Sequence, residues 1–260
     1  MTHEPANIPA LEARHLTLGR GGTTIVNDIN LAFAERTITA IIGRSGCGKS
    51  TFLRALNRIH EVEPDAEVTG QVLLRGEDVY APGSDVQRVR RRIGMVFQQP
   101  TVFNMTVGEN VAAAWTCIGA EPPNDPEYYL DLVDLPARAD QDATDLSGGQ
   151  AQRLAIARTL AAQPEVLLLD EPCSALDSES ATVIEHLLLK LADSLTIVIV
   201  THDLEQARRL ADRAAFFSAA GGIGALIEAG PHVLTSPQRE ETALFLRSGG
   251  EASPAHEARA

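Results

Sequence analysis

Four short runs of apolar residues, each about as long as a strand, stand out along the chain. They are Thr37–Ile42, Gly94–Phe97, Val166–Leu169 and Thr196–Val200. Because these runs show no alternation of apolar and polar positions, they predict central strands that are buried on both faces of a sheet. Helical patterns follow several of the runs, at Lys49–Arg58, Glu179–Ala192 and Leu204–Ala211. This succession of strands and helices predicts an open α/β core with a parallel sheet.

Two parts of the chain depart from this succession. Residues 11–35 and Gln71–Leu74 predict antiparallel strands near the start of the chain. Residues from about 100 to 160 contain no convincing strand but several helical patterns, including Val107–Ile118 and Tyr128–Val133. We therefore expect a helical lobe that is inserted into the α/β core.

The two ends of the chain are predicted to lie outside a single domain over residues 10–247. Residues 1–9 predict an N-terminal tail, and residues 248–260, rich in Gly, Ala, Glu and Ser, predict a disordered tail. The N-terminus lacks the basic start and apolar core of a secretory signal. The longest apolar runs are far shorter than the roughly 20 residues needed to cross a bilayer. By itself, the chain is therefore predicted to be soluble and cytoplasmic.

Composition and charge narrow the class of protein. With 260 residues, of which 44% are apolar and 22% charged, the chain can form a globular core without disulfides or a structural metal. Cys47, Cys117 and Cys173 are widely spaced and form no CxxC pair, so we expect free thiols in a reducing compartment. The formal net charge of -13 argues against nucleic acid or an anionic membrane surface as a partner.

The strongest chemical signal is a phosphate-binding loop between the first predicted core strand and the helix that follows it. The loop has the pattern G-x-x-x-x-G-K-[ST] in its strand-to-helix context. Its residues are Gly43, Arg44, Ser45, Gly46, Cys47, Gly48, Lys49, Ser50 and Thr51. Glycines let the backbone close around an anion, Lys49 can reach the β and γ phosphates, and Ser50 offers its hydroxyl to Mg²⁺. Lysine is rare in this chain, since Lys190 is the only other one, and this makes Lys49 a more specific signal of a phosphate-binding loop.

Two adjacent carboxylates, Asp170 and Glu171, follow the buried run Val166–Leu169. Adjacent residues of a strand point to opposite sides, so the two side chains are expected to have different roles. Asp170 fits the acid associated with Mg²⁺ in a P-loop site, and Glu171 is placed to polarise the attacking water as a general base. Without the P-loop, the same pair would indicate only the start of a solvated loop.

A second candidate anion site lies at the start of the helix predicted over Ala151–Ala161. It consists of Ser147, Gly148, Gly149 and Gln150. Ser147 is placed as the N-cap, and the two glycines leave backbone N–H groups accessible. On residue types alone, a well-capped helix that binds nothing explains this segment equally well.

Six segments occur together in an order and at separations that resemble the nucleotide-binding subunits of ABC transporters. They are GRSGCGKST, VFQQP with Gln98, LSGGQ, VLLLDEP, SALD at 174–177, and Thr201-His202-Asp203. The resemblance covers residues from about 10 to 247. It implies an α/β fold with a P-loop NTPase core of the RecA-like type, an N-terminal antiparallel β subdomain and an inserted α-helical subdomain.

The resemblance also implies a head-to-tail homodimer with two ATP molecules, each lying between the P-loop of one subunit and the LSGGQ segment of the other. The implied catalytic residues are Glu171, His202 and Gln98, and the implied Mg²⁺ ligands are Ser50, Gln98 and Asp170. The implied nucleotide contacts are the P-loop residues Gly43 to Thr51, together with Ser147, Gly148, Gly149, Gln150 and Asp177. His202 would bind the γ-phosphate, Gln98 would sense Mg²⁺ and contact the membrane partner, and Asp177 would communicate across the dimer.

A finer resemblance is to the ATP-binding subunits of phosphate importers. It implies an ATPase coupled to uptake of inorganic phosphate, docked on two transmembrane permease subunits at the cytoplasmic face of the membrane. An extracytoplasmic solute-binding protein would take part indirectly. Where that subfamily usually has an aromatic residue to stack on adenine, this chain has Arg20, whose guanidinium can also stack on a base.

Three alternatives stay open on sequence alone. The first is an ABC ATPase for another solute, either an importer or an exporter. The second is a soluble ABC ATPase that acts on DNA or ribosomes, which the single uninterrupted cassette and the acidic charge disfavour. The third is a binding module without catalysis, which the presence of every catalytic side chain named above disfavours.

Overall fold

The computed structural model describes residues 8–116, 123–220 and 222–250. Within these ranges the chain forms ten strands, which make one sheet, and eight α-helices. The strands are β1 (Leu11–Arg20), β2 (Thr23–Phe33), β3 (Ile38–Gly43), β4 (Ala66–Leu74), β5 (Glu77–Asp78), β6 (Ile93–Val96), β7 (Val166–Asp170), β8 (Thr196–Val200), β9 (Arg213–Ala220) and β10 (Ile223–Gly230). The helices are α1 (Lys49–Ala55), α2 (Val86–Arg92), α3 (Val107–Thr116), α4 (Pro126–Leu132), α5 (Gly148–Ala161), α6 (Ser178–Ala192), α7 (Leu204–Leu210) and α8 (Glu240–Arg247).

The centre of the sheet is parallel and buried on both faces, which confirms the interpretation of the apolar runs. Strands β3, β8, β7 and β6 lie side by side in that order and pair in parallel. In β7, Leu167 and Leu169 belong to the hydrophobic cluster on the side of α3–α7, whereas Val166 and Leu168 pack on the side of α1. Because parallel strands end at the same edge, the carboxyl ends of β3, β7 and β8 meet there.

The antiparallel strands predicted near the start of the chain are present. β1 pairs with β2 and with β4, and β5 continues this part of the sheet. Strands β9 and β10, which the sequence analysis does not predict, connect it to the parallel strands, since β10 pairs with β2 and β9 pairs with β3. β9 contains four alanines, and β10 contains two alanines and two glycines; the low intrinsic strand preference of these residues hides both strands from a sequence-based prediction.

Helices α3, α4 and α5 form the predicted helical lobe between β6 and β7. The indole N–H of Trp115 in α3 donates to the Ala161 carbonyl oxygen in α5 at 2.8 Å. The Trp115 ring also packs at a tilt against Tyr129 of α4, with 5.5 Å between centroids. The helix predicted over Val107–Ile118 is described as far as Thr116, and its last two residues lie outside the described ranges.

One predicted helix is too long. The pattern over Lys49–Arg58 predicts ten residues of helix, but α1 ends at Ala55. Arg58 has φ of 65°, in the left-handed region. Its guanidinium donates to Glu61 Oε2 at 2.8 Å and to the Val79 carbonyl oxygen at 3.1 Å. These tertiary contacts stabilise a turn where the local pattern alone favours helix.

The ends of the chain are described in part. Ser248, Gly249 and Gly250, the first residues of the predicted disordered tail, donate backbone hydrogen bonds to the last turns of α8. Residues 1–7 and 251–260, which hold most of both predicted tails, lie outside the described ranges. Among the described residues, no helix combines the length and apolar character that a membrane span requires.

Candidate functional site

The P-loop residues Gly43 to Thr51 connect β3 to α1 at the carboxyl edge of the parallel strands. Two glycines are required by the packing of this loop. Gly48 has φ of 89°, and a Cβ on it would lie 2.4 Å from Val26 Cγ2. Gly43 has φ of 146°, and a Cβ there would lie 2.2 Å from the Phe217 carbonyl oxygen. The backbone of the loop can therefore approach its surroundings, and a bound anion, closely.

The ammonium group of Lys49 lies inside this loop. The residue is buried, and its Nζ donates to the carbonyl oxygens of Gly43 at 2.8 Å and Arg44 at 2.7 Å. Both acceptors are neutral, so carbonyl dipoles rather than a carboxylate face this positive charge. A buried cation with neutral partners at the start of a helix favours an anion such as a phosphate group.

Ser50 and Asp170 form an oxygen pair that fits Mg²⁺. The Ser50 hydroxyl donates to Asp170 Oδ1 at 2.7 Å, although the two residues are 120 positions apart in the sequence. Asp170 is buried at the end of β7, and its Oδ2 lies 3.5 Å from Arg54 Nη2 of α1. A hydroxyl and a carboxylate are hard oxygen ligands of the kind that Mg²⁺ takes alongside phosphate and water. The donor set present therefore fits this ion.

Glu171 stands apart from Asp170 because of its backbone conformation. β7 ends at Asp170, and Glu171 has φ of 46°, in the left-handed region that is unusual for a non-glycine residue. Its N–H donates to the Val200 carbonyl oxygen at the end of β8, at 2.9 Å. The separation of the two carboxylates was predicted from strand alternation, but the left-handed turn also contributes. Such strain is typical of functional sites.

Gln98 and His202 meet the Glu171 carboxylate. Gln98 Nε2 donates to Glu171 Oε2 and to Ser174 Oγ, both at 3.1 Å. His202 Nδ1 lies 3.2 Å from the same Glu171 Oε2. The structure thus brings together the three side chains that the resemblance implies as catalytic, from the end of β6, the end of β7 and the loop after β8.

Two cavities adjoin these groups. The first, of about 480 Å³, is lined by Glu171, His202 and residues of α6 and α7. Cys173 also lines it, and burial raises the pKa of its thiol to about 11, so the thiol is protonated at neutral pH. The second, of about 800 Å³, lies between the P-loop residues Arg44 to Cys47 and helix α8. Both Cys47 and Cys173 carry free thiols, and Cys117 lies outside the described ranges.

The segment Ser147–Gln150 forms the predicted cap of a helix. Ser147 Oγ accepts from the Gln150 N–H at 3.4 Å, and Gln150 Oε1 accepts from the Ser147 N–H at 3.0 Å, which is a capping box. As a result, α5 begins at Gly148 and not at Ala151, where the apolar pattern placed its start. In the described part of the chain, these four residues line neither of the two cavities.

Gly149 and Asp177 both contact Ser180. A Cβ on Gly149 would lie 2.7 Å from Ser180 Oγ, whereas a Cβ on Gly148 would meet nothing closer than 3.7 Å. Asp177 caps α6 by accepting from the Ser180 N–H at 2.9 Å and from the Ser180 hydroxyl at 2.8 Å. These hydrogen bonds hold the pKa of the Asp177 carboxyl below its usual value. The close packing of α5 on α6 explains a glycine at position 149 but not at position 148.

Arg20, the residue that replaces an aromatic side chain in the first hairpin, has a partner within the chain. Its Nη1 lies 3.3 Å from Glu63 Oε2, and both side chains are partly exposed. An exposed pair of this kind is weak and easily exchanged for another contact. The stacking of Arg20 on a base therefore stays a prediction.

An ion pair behind the first cavity was not foreseen from the sequence. Glu185 of α6 is buried and accepts from Arg209 Nε at 2.8 Å and Nη2 at 2.7 Å, in α7. Gln206 Nε2 donates to the same carboxylate at 3.2 Å. The only signal in the sequence is a glutamate within the apolar pattern of a helix. The ion pair connects α6, whose N-cap is Asp177, to α7, which follows His202.

The Glu185→Gln substitution is expected to lower the free energy of unfolding by about 1–2 kcal/mol at neutral pH. The Arg209 hydrogen bonds lower the pKa of Glu185 in the folded chain. The contribution of the ion pair is therefore complete above the ordinary glutamate pKa and is lost as the pH falls through the lowered folded value. Urea unfolding of both proteins from neutral to acidic pH checks this, and a stability difference that does not shrink on acidification would contradict it.

Comparison with known proteins identifies the family. The family model described as ABC transporter matches residues 26–174, more than half of the chain. The chain belongs to the ABC transporter family. The range matched to the ABC transporter family contains the P-loop, Gln98, Ser147–Gln150, Asp170 and Glu171, and it ends before Asp177 and His202.

Curated relatives within the ABC transporter family carry the name Phosphate import ATP-binding protein PstB. The protein from Mycobacterium leprae is 48% identical over 229 residues, which cover 84% of this chain and 89% of the relative. The protein from Mycolicibacterium smegmatis is 44% identical, covering 91% of this chain and 96% of the relative. That from Rubrobacter xylanophilus is 42% identical, covering 89% and 86%. The predicted resemblance to ATP-binding subunits of phosphate importers is confirmed.

A solved structure supports the fold of this ABC transporter family member. CbiO1 from Clostridium perfringens, described as part of the ABC transporter complex cbiONQ, superposes with a TM-score of 0.74 at 27% identity. The match covers 93% of this chain and 97% of that one. The predicted α/β fold with a P-loop NTPase core is therefore confirmed.

Proposed function

We propose that this chain is the ATP-hydrolysing subunit of an ABC importer that takes up inorganic phosphate through partner permease subunits. The observation that carries the ATPase part is the meeting of the P-loop, the Ser50–Asp170 pair and the Gln98–Glu171–His202 group at one edge of the sheet. The names of the relatives, which match over most of both chains, support phosphate as the transported solute.

Each group has a distinct task in ATP hydrolysis. The P-loop N–H groups and Lys49 bind the phosphates, and Ser50 and Asp170 hold Mg²⁺, with Gln98 near it. When bound, Mg²⁺ neutralises charge on the phosphate oxygens. Glu171 accepts a proton from the attacking water, while Gln98 and His202 orient its carboxylate through contacts at 3.1 and 3.2 Å.

The site of one chain is completed by a second copy. Ser147 and Gly148 are exposed at the start of α5, where two helix N–H groups and the dipole favour an anion. In a head-to-tail homodimer, Ser147–Gln150 of each subunit contact the γ-phosphate that is held by the P-loop of the other. Asp177 bonds to Ser180, which packs against Gly149, and these contacts support a role for Asp177 in communication across the dimer. This arrangement accounts for a second candidate anion site that lines neither of the two cavities.

The permease subunits dock beside Gln98, at the cytoplasmic face of the membrane. Phe97, Phe103 and Met105 are exposed apolar side chains in the loop that carries Gln98. Exposed apolar groups of this kind fit a protein partner better than they fit water. An extracytoplasmic solute-binding protein acts on this chain only through the permease.

Phosphate uptake tests the proposal. A bacterial strain that lacks the ATP-binding subunit of its phosphate importer is supplied with this chain and with phosphate permease subunits from the same source organism. Uptake of radiolabelled phosphate should return, and the same system with the Glu171→Gln chain should stay inactive although it assembles. ATP hydrolysis without phosphate uptake would overturn the phosphate assignment, and uptake of another solute would replace it.

The Ser50→Ala substitution is expected to raise the Mg²⁺ concentration needed for half-maximal ATP hydrolysis by about tenfold or more, since the ion loses an oxygen ligand. Mg²⁺ titrations of the ATPase and of ATP binding measure the effect. Ser194→Ala, which removes an exposed hydroxyl after α6, is the matched control and should match the unsubstituted chain. An unchanged Mg²⁺ dependence of Ser50→Ala would show that Ser50 does not bind the ion.

A further inference from the structure

We propose that Gln152 and Arg158 are positioning residues for Gln98, and that they fix its loop to the helix that begins at Ser147. Both belong to α5, Gln152 in its second turn and Arg158 about three turns from its start. They donate hydrogen bonds to backbone carbonyl oxygens on either side of Gln98. One of these carbonyls lies one residue before Gln98, and the other lies three residues after it. This inference rests on the proposed ATPase function, because it assigns to these two residues a role in placing a catalytic side chain.

Gln152 forms a hydrogen bond with the start of the loop that carries Gln98. Its Nε2 donates to the Phe97 carbonyl oxygen at 3.2 Å. The side chain is buried, with 1% of the residue exposed, so water cannot replace this bond without rearrangement. A buried amide bonded to the peptide unit that precedes Gln98 restricts the direction in which Gln98 leaves β6.

Arg158 contacts the part of the loop that follows Gln98. Its Nη2 donates to the Thr101 carbonyl oxygen at 2.7 Å, and its Nη1 donates to Asn110 Oδ1 at 3.2 Å. Its guanidinium also stacks over the Phe103 ring at 4.5 Å from the centroid. Both acceptors are neutral. The hydrogen bonds of Arg158 therefore fix the conformation of the loop and do not form an ion pair.

Asn110, a residue of α3, adds further hydrogen bonds to this loop. It is fully buried, its Oδ1 accepts from the Phe103 N–H at 2.9 Å, and its Nδ2 donates to the Phe103 carbonyl oxygen at 3.1 Å and the Thr106 carbonyl oxygen at 3.0 Å. The path from Phe97 to Thr106 is thus bonded to side chains of α3 and α5 at several points. Within it, Gln98 itself is exposed and contacts Glu171 and Ser174.

A mechanical consequence follows from these contacts. The LSGGQ segment includes the start of α5, and the loop that carries Gln98 is hydrogen-bonded to the same helix. A displacement of α5 therefore shifts Gln98 relative to Glu171, whose position is fixed by the ends of β7 and β8. In the proposed dimer, the LSGGQ segment and Gln98 of one subunit act on different ATP molecules. Helix α5 therefore couples the positions of these two half-sites.

A double-mutant cycle tests the positioning role. The full chain is prepared as Gln152→Leu, as Arg158→Leu, as Gln98→Ala, and as each α5 variant combined with Gln98→Ala. We expect Gln152→Leu and Arg158→Leu each to lower kcat for ATP hydrolysis about tenfold with little change in KM, since a small misplacement of a catalytic group has a large effect on rate. In the Gln98→Ala background, neither should lower kcat further.

Arg153→Leu is the matched control. Arg153 lies on the same helix and also donates to a carbonyl oxygen, but that of Asp134 at 2.6 Å, next to α4. We expect Arg153→Leu to destabilise the chain in thermal unfolding as Arg158→Leu does, without a comparable loss of kcat. Gln152→Met, which keeps about the same side-chain length and removes the donor without burying a charge, serves where Gln152→Leu does not fold.

The outcomes separate this inference from the proposed function. Absence of ATP hydrolysis by the unsubstituted chain under all Mg²⁺ conditions would defeat the proposed function. Hydrolysis that is slowed by Gln98→Ala, but slowed further by the same factor when Gln152→Leu or Arg158→Leu is added, would overturn the positioning role alone. Equal kcat losses in Arg153→Leu and Arg158→Leu would do the same, because they would indicate a general effect on α5.

Discussion

The Glu171→Gln variant is expected to hydrolyse ATP about 10²-fold or more slowly than the unsubstituted chain, while ATP binding and dimerisation stay intact. An amide has nearly the shape of the carboxylate and can accept from Gln98 Nε2, which lies 3.1 Å away. It cannot accept a proton from water at neutral pH. Binding depends instead on Lys49 and the P-loop backbone, which the substitution leaves in place.

Single-turnover hydrolysis and ATP-dependent dimerisation, measured on the same preparation, check this expectation. The dimer of Glu171→Gln should persist in ATP because the nucleotide is not consumed. Glu127→Gln, at an exposed position of α4, is the matched control and should behave as the unsubstituted chain. Hydrolysis at the normal rate in Glu171→Gln would remove Glu171 from the role of general base.

The parallel core could be predicted from the sequence because its signal is local. The runs that become β7 and β8 are continuously apolar, and a strand covered on both faces is the simplest way to bury such a run. β9 and β10 carry no comparable signal. They are strands because β2 and β3 offer them hydrogen-bonding edges, which is a tertiary effect that alanine-rich and glycine-rich segments do not reveal in sequence.

The candidate site was predictable to the level of residue identity, and less so at the level of contacts. The P-loop pattern and the pair Asp170 and Glu171 indicate the chemistry because few other residue sets suit a phosphate and Mg²⁺. The left-handed conformation of Glu171, at φ of 46°, has no signature in the sequence. Likewise, the contacts of Gln152 and Arg158 depend on how the helical lobe folds back on β6. Such contacts join residues about 55 positions apart and only become visible in three dimensions.

In the proposed head-to-tail dimer, one subunit holds only part of each ATP site. Lys49 lies within the P-loop, whereas Ser147 caps a helix that lines neither cavity beside it. Each subunit of the proposed dimer would therefore contribute a different part of the site to each of the two nucleotides. In the proposed transporter, this subunit supplies chemical energy, and the permease partners supply the pore and the choice of solute.

The Lys49→Ala variant is expected to lose ATP binding by about 10²-fold and ATP hydrolysis with it. The ammonium is a buried charge whose hydrogen bonds go to two carbonyl oxygens, at 2.7 and 2.8 Å. A phosphate group is a far stronger partner for it than a carbonyl dipole, because a hydrogen bond between opposite charges is about twice as strong as a neutral one. Removing the ammonium leaves only the N–H groups of the loop and the Mg²⁺ ion to offset the charge of the β and γ phosphates.

Thermal unfolding with and without ATP and Mg²⁺ measures this loss without relying on turnover. A ligand at 100 times its Kd stabilises the folded chain by about 2.7 kcal/mol, so the unsubstituted protein should melt at a clearly higher temperature with nucleotide present. Lys49→Ala should show almost no shift at the same concentration. Lys190→Ala removes the other lysine of the chain, near the end of α6, and should keep the full shift. A full ATP-induced shift in Lys49→Ala would mean that the P-loop backbone binds nucleotide without the ammonium, and the phosphate-binding role of Lys49 would fall.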